Sequence, residues 1–378
     1  VRVLLTTCSL VASGGVEMHL LDLARGLLRR RCEPVVYAPK LGAFAARLRD
    51  LSVPVVDDLA HLHTTPDLVH GHYGPSLMAA LLRYPTTPGV QTCHGWDWRG
   101  DVPPNLPRVL RRLAVDAVCR DRLVCGFGVP EEDVQVLFNG VDLARFAPRP
   151  KLPTTPRRAV VFSNYQTHRT VEPIVTACGR AGVAVDLVGR RFGADCVQPE
   201  CLLSDYDLVF AKGRCAWEAL ATGCAVVVAD TTGLGPLVTS AELPALRLCN
   251  FGKRLMVDPL TVELVGEQIA RYDAADAACV SRQVRRENSL ELLLDQLHSI
   301  YSEVIAEQQT DPAAAGGDDL LLAAYAERLC RELAVDEPRA VSRSRLIRKR
   351  IEARADRLVR QATRLVKSPW SGLGRRAA

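Results

Sequence analysis

The sequence predicts an α/β protein with two open, doubly wound halves facing a cleft and a basic helical extension after them. Three observations predict this. Strand-like and amphipathic segments alternate through residues 1–150, the alternation restarts after a proline-rich stretch, and glycine- or charge-bearing loops recur at the strand ends. Alternating β and α elements imply mostly parallel sheets covered on both faces. Ligands of such sheets bind outside the carboxyl ends of the strands.

In the first half, the expected strands are Arg2–Thr7, Pro34–Tyr37, Val53–Val56, Asp67–His70, Gly89–Thr92, Ala114–Cys119 and Val134–Phe138. The helix expected over Val16–Arg30 carries Leu20, Leu23, Ala24 and Leu27 at helical spacing, with Arg25 and Arg29 turned away. Lys151-Leu-Pro-Thr-Thr-Pro-Arg157 reads as the linker. The second half offers strands at Ala159–Phe162, Ala184–Val188, Leu208–Phe210, Val226–Val228 and Ala245–Leu248, with a helix near Val171–Ala181. The expected domains are therefore 1–150, 151–308, and a linker plus basic helical tail over 309–378. In the tail, Asp318–Leu333 and Ser342–Lys367 read as helices, the second with arginines around an apolar face.

Composition fits a two-domain enzyme. A chain of 378 residues exceeds the roughly 250–300 at which one core stops growing. Hydrophobic residues make up 48% and charged residues 24%, so disorder is not the default. Thirteen cysteines form an odd count without a CxxC pair, which points to reduced core thiols in a cytosolic protein. Nothing reads as a signal peptide, and no apolar run reaches the roughly 18 residues that span a bilayer. The expected location is cytoplasmic, with peripheral contact at the inner membrane face through the basic segment 342–368. A protein partner is an equal reading for that segment, and nucleic acid ranks well below both because no nucleic-acid fold motif accompanies it.

The most informative stretch is Ser204–Asp230. It reads as a buried strand, a loop holding Lys212, Gly213 and Arg214, a short helix, and a second buried strand. A loop that feeds a helix N-terminus presents unpaired N–H groups and the helix dipole to an anion, typically a phosphate. Glu218 lies one turn further on, among Ala216, Trp217, Ala219 and Leu220. A carboxylate in such surroundings needs a partner, and a ribose diol suits it. Phosphate plus vicinal diol describes a ribonucleotide.

This stretch resembles the donor-binding motif of retaining GT-B glycosyltransferases of family 4. The resemblance extends over roughly residues 1–305. It includes Val3-Leu-Leu5 with Ser13–Leu27, Asp67-Leu-Val-His-Gly-His72, Gln91-Thr-Cys-His-Gly95, and Asn139-Gly-Val-Asp142 with Phe146 and Pro148. It implies two Rossmann-like domains, a nucleoside diphosphate sugar as co-substrate, and a glycan, lipid-linked or small-molecule acceptor. By resemblance Glu218 contacts the ribose and Gly213 matches a loop glycine. Phe210 stands where the family has a glutamate that contacts the donor hexose. Gly14 and Gly15 face the phosphates from the other domain. Lys212, Arg214 and Arg169 meet the diphosphate, with Arg190 a further basic residue at a strand end. The resemblance places His94 at the transferring sugar as the catalytic candidate. Trp96, Asp97 and Trp98 are the acceptor-side candidates, and Glu17 a further one.

No fixed nucleophile is implied, and no metal is expected, since basic groups and amides can neutralise the diphosphate. His70 and His72 are spaced like a metal pair, yet no third ligand is recognisable in the sequence. Two alternatives stay open at this point: a sugar-nucleotide epimerase, and a non-catalytic sugar-nucleotide-binding scaffold with a membrane-associating tail.

Overall fold

A computed structural model describes residues 1–95, 99–196 and 198–310, together with Leu322 and Tyr325. The acceptor-side candidates Trp96, Asp97 and Trp98 and the basic segment 342–368 lie outside the described residues. So do the tail helices, except for those two residues.

The first lobe runs β1 (Arg2–Thr6), α1 (Gly15–Arg29), β2 (Glu33–Tyr37), α2 (Ala43–Arg49), β3 (Val55–Val56), β4 (Leu68–Gly71), α3 (Gly74–Arg83), β5 (Gly89–Cys93), β6 (Val109–Ala114), α4 (Ala117–Asp121) and β7 (Val134–Val136). Its seven strands form a parallel sheet in the order β3-β2-β1-β4-β5-β6-β7, with Leu4 opposite Val35 on one side and Val69 on the other. Strand order reverses beside β1, so the loop after β1 opens at the point where such sheets take ligands.

The second lobe runs β8 (Arg158–Phe162), α5 (His168–Arg180), β9 (Ala184–Val188), α6 (Pro199–Leu202), β10 (Leu208–Ala211), α7 (Gly213–Thr222), β11 (Ala225–Asp230), β12 (Gly233–Leu237), α8 (Leu243–Arg247), α9 (Val262–Ala270) and α10 (Ala274–Glu287). Its sheet order is β12-β11-β10-β8-β9, parallel except for the β11–β12 pair. The last described helix, α11 (Leu290–Thr310), returns to the first lobe. Its Leu290, Leu293, Leu294 and Leu297 share a core with Leu20, Leu23 and Leu27 of α1. Each fully buried leucine contributes about 1.5–3 kcal/mol. The helices meet at Gly26, where a Cβ would stand 2.3 Å from Leu294 Cδ1.

Most expected strands are present, and two are not. Ala114–Cys119 was expected as a strand, but the strand is Val109–Ala114 and the chain turns into α4, capped by Asp116 accepting from the Cys119 N–H. Arg111 and Arg112 had hidden the strand's apolar pattern. Ala245–Leu248 was also expected as a strand and lies instead largely in α8, which starts with Pro244 in its first turn. The strand of that region is β12, at the sheet edge, where Pro236 costs no ladder bond. The junction Asn139–Asp142 runs beside the later return of the chain. Val141 N–H donates to Asn288 O (2.9 Å), and Leu290 N–H donates to Val141 O (2.8 Å). Among the described residues, no helix is long and apolar enough to cross a membrane.

Candidate active site

Helix α7 begins where β10 ends. Lys212 is its N-cap in extended conformation and supplies no side-chain cap; Gly213 N–H donates to Phe251 O at 3.3 Å, so a ligand would meet the amides that follow it. Gly213 has φ +55°, which is why glycine serves there. Lys212 forms an ion pair with Asp230 and lies 4.7 Å from the centre of the Tyr165 ring. Asp230, at the end of β11, also accepts from Ser163 Oγ at 2.9 Å. The ends of β8, β10 and β11 thus converge on one cation.

Arg214 points across the seam between the lobes. Its Nε donates to Glu218 Oε1 at 2.7 Å, and its Nη2 is paired with Asp22 of α1. Burial works against the guanidinium's charge, but Asp22 and Glu218 more than offset it and raise its pKa. Burial raises the Glu218 pKa, with Arg214 opposing. Asp22 gathers further cations. Arg145 Nη1 lies 3.2 Å from it and Arg25 Nη1 3.5 Å, and Arg145 continues to Glu200 at 2.7 Å. The result is a buried charge network joining α1 to α7.

On the first-lobe side, Gly14 caps α1 without a side-chain bond. A Cβ on Gly14 would approach the Glu17 carboxylate to 2.4 Å, while Gly15 has open space around it. Burial raises the Glu17 pKa, partly countered by Arg190. Arg190 spans the lobes and donates to Ser13 O of the glycine loop. The basic residue that reaches this loop is therefore Arg190. Arg169 sits exposed in the first turn of α5.

Below the loop lies a histidine cluster. His70 places its Nδ1 2.6 Å from Tyr301 Oη of α11 and its Nε2 2.7 Å from Thr92 Oγ1. His72 Nδ1 lies 2.9 Å from His94 Nε2. His19 of α1 closes the group, edge-on to both. Burial drives the His70 and His94 pKa values down to about 3, and those of His19 and His72 well below the usual range. All four imidazoles are therefore neutral at physiological pH.

Asp101 holds the loop that bears His94. It pairs with Arg122 at 3.3 Å, and Arg122 donates to Gly95 O at 2.6 Å. Burial pushes its carboxyl up to about 7, with Arg122 opposing. Asp101→Ala is expected to destabilise the fold by about 2–3 kcal/mol, because it strands buried donors. Asp101→Asn should recover part of this through its amide oxygen. Thermal melts of the three proteins check the order; equal melting temperatures would refute the clamp.

The structure thus gathers Lys212, Gly213, Arg214 and Glu218 at the start of α7, joins them to α1 through Arg214 and Asp22, brings Arg190 to the glycine loop, and sets His94 in the histidine cluster beside α1. Sequence reasoning missed Asp22, His19, Arg145 and Asp101. Asp22 had a signal of its own, a carboxylate inside the run Leu20-Leu-Asp-Leu23.

Comparison with known proteins agrees with this fold. The sequence model of Glycosyltransferase Family 4 matches residues 13–145, which span the glycine loop, α1 and the histidine strands. HepE of Anabaena, solved in complex with UDP and glucose, is similar in fold. The two share 16% identity, the match covers 79% of this chain and 99% of that one, and the TM-score is 0.59. A glycosyltransferase from Rickettsia africae ESF-5 is similar too, with 14% identity, coverage of 80% and 98%, and TM-score 0.54. The chain has the GT-B fold, and its residues 13–145 match the Glycosyltransferase Family 4 model. No curated protein matches it in sequence.

Proposed function

We propose that the protein transfers a glycosyl group from a nucleoside diphosphate sugar to an acceptor hydroxyl, with retention of anomeric configuration. The observation that carries this reading is the α7 N-terminus, where Lys212, Gly213 and Arg214 stand above buried Glu218 and Arg214 reaches Asp22 of α1. HepE, with the same fold, binds UDP and glucose.

In this reading, the diphosphate lies against the first turn of α7, with Lys212 and Arg214 as counter-charges and Arg190 at its flank. Glu218 accepts from the ribose hydroxyls through the oxygen that Arg214 Nε leaves open. As the bond from the anomeric carbon to the phosphate oxygen breaks, negative charge grows on the leaving diphosphate. Fixed amides and cations stabilise that charge more than they stabilise the bound donor. The acceptor oxygen bonds to the anomeric carbon from the same face, and its proton passes to the departing phosphate oxygen. His94, neutral, hydrogen-bonds the sugar as it moves. No metal is required, because the cations already meet the charge. The acceptor, a glycan, lipid-linked or small-molecule hydroxyl, approaches from the first lobe. Residues 342–368 are proposed to meet an anionic membrane surface.

Calorimetry with UDP, GDP, ADP and TDP, bare and glycosylated, tests this on the folded protein. One of them is expected to bind at one site per chain. Lys212→Met should weaken it about 10- to 100-fold, the loss of a charged hydrogen bond of about 1.5–3 kcal/mol. Absence of heat with all of them would overturn the proposal. Mass spectrometry of a donor panel then distinguishes transfer from isomerisation and from binding without turnover.

A further inference from the structure

His19, His72 and His94 come from three separate places in the chain: the first turns of α1, the residue after β4 and the residue after β5. Their ring centroids form a nearly equilateral triangle: 5.0 Å for His19–His94, 5.1 Å for His72–His94 and 5.6 Å for His19–His72. One ring nitrogen from each lies within 4.8 Å of the other two. Three imidazoles on a tetrahedral zinc ion, with Zn–N about 2.0–2.1 Å, put their ring centroids about 5 Å apart and their nitrogens about 3.3 Å apart. The backbone therefore already sets the spacing. The rings need only turn, so that His72 presents its unpartnered Nε2 in place of the Nδ1 that now lies 2.9 Å from His94 Nε2.

The present arrangement also leaves a polar atom without a role. His72 Nε2 is buried and has no hydrogen-bond partner among the described residues. Such atoms are rare and call for an explanation. His70 stays outside the set, because Tyr301 and Thr92 occupy both its nitrogens; it stacks 4.5 Å from His72 and supports that ring.

We propose that His19, His72 and His94 form a three-nitrogen site for a divalent transition metal of the Zn²⁺ type, with a fourth position open. Nitrogen ligands favour such ions over Mg²⁺ or Ca²⁺. The site rests on these distances and not on the glycosyl-transfer reading. If that reading holds, metal occupancy withdraws the His94 imidazole from the donor sugar, so the ion inhibits rather than assists.

Titration of the metal-stripped full chain with Co²⁺ tests the proposal. The expected result is one equivalent of Co²⁺ bound, with the visible absorption of a four-coordinate ion, displaced by Zn²⁺ and unaffected by excess Mg²⁺. His19→Gln and His72→Ala should each abolish it, with folding checked by circular dichroism. His63→Ala, at an exposed position, should retain it. Two results would overturn the site: no saturable binding by the native chain, or a spectrum that survives in folded His19→Gln. The readout needs no enzymatic activity, so the site and the transfer reaction can fail separately.

Discussion

Arg214→Ala is expected to cost about 3–5 kcal/mol of stability, the range for breaking a buried ion pair from one side. The guanidinium is 12% exposed and lies between Asp22 at 1% and Glu218 at 4%. Its removal leaves two buried carboxylates near each other. Asp22 keeps Arg145 at 3.2 Å, so Glu218 loses more. At roughly 1.3 °C per kcal/mol for a chain of this size, melting should fall by roughly 4–6 °C. The sign of the pH effect follows. The Glu218 pKa is already raised by burial, and without Arg214 it rises further. A carboxyl with a raised folded-state pKa gives stability that is present at low pH and lost as pH rises through that value. The variant's deficit should therefore be smaller at pH 5 than at pH 8. Asp22→Asn added to Arg214→Ala should restore part of the loss, since one of the two facing charges is gone. A deficit below about 1 kcal/mol at both pH values would show that solvent screens the network. Donor binding should fall with stability, because the same side chain faces the proposed diphosphate.

What the sequence made legible, and what it hid, follows from the range of the interactions. The strands β4, β5, β10 and β11 are buried throughout and read as continuous apolar runs. Lys212, Gly213, Arg214 and Glu218 lie within one loop and two helical turns, so their grouping follows from local spacing. Asp22 meets Arg214 across 192 residues, and no periodicity reports such a contact. His19 carried no sign of its own either, since the histidines it joins arrive from β4 and β5. This is why His70 and His72 looked like a pair without a third ligand, when the partners of His72 are His94 and His19. Strand β6 was displaced in the reading because Arg112 is buried there, its guanidinium directed at the carbonyls of Val109 and Pro104. Strand β12 escaped because Gly233, Gly235 and Pro236 are poor strand formers, and only an edge position tolerates them in a ladder.

Phe210→Glu is the second large effect expected, and it bears on how far the family resemblance reaches. By sequence, Phe210 occupies the position of the glutamate that contacts the donor hexose in family 4 enzymes. In the structure its side chain is fully buried inside β10, in one cluster with Leu208, Ile174, Val227 and Ala229. Its neighbours in register are Val161 of β8 and Val227 of β11. A carboxylate there faces no cation of that cluster, so it either ionises at a cost of several kcal/mol or takes up a proton. The variant is expected to lose at least about 4 kcal/mol at pH 7, and less at pH 5, where the new carboxyl protonates more readily. Phe210→Leu, which keeps the site apolar, should cost about 1.5 kcal/mol or less. Donor turnover should not rise in Phe210→Glu, since the side chain is held away from the seam where Lys212 and Arg214 point. Melting curves and donor calorimetry on the two variants decide the matter. A Phe210→Glu protein that melts like the parent and binds a nucleotide sugar more tightly would mean that the residue faces the donor after all. The burial of Phe210 points the other way: in the proposed reaction the contacts to the donor sugar come from other residues, His94 among the candidates.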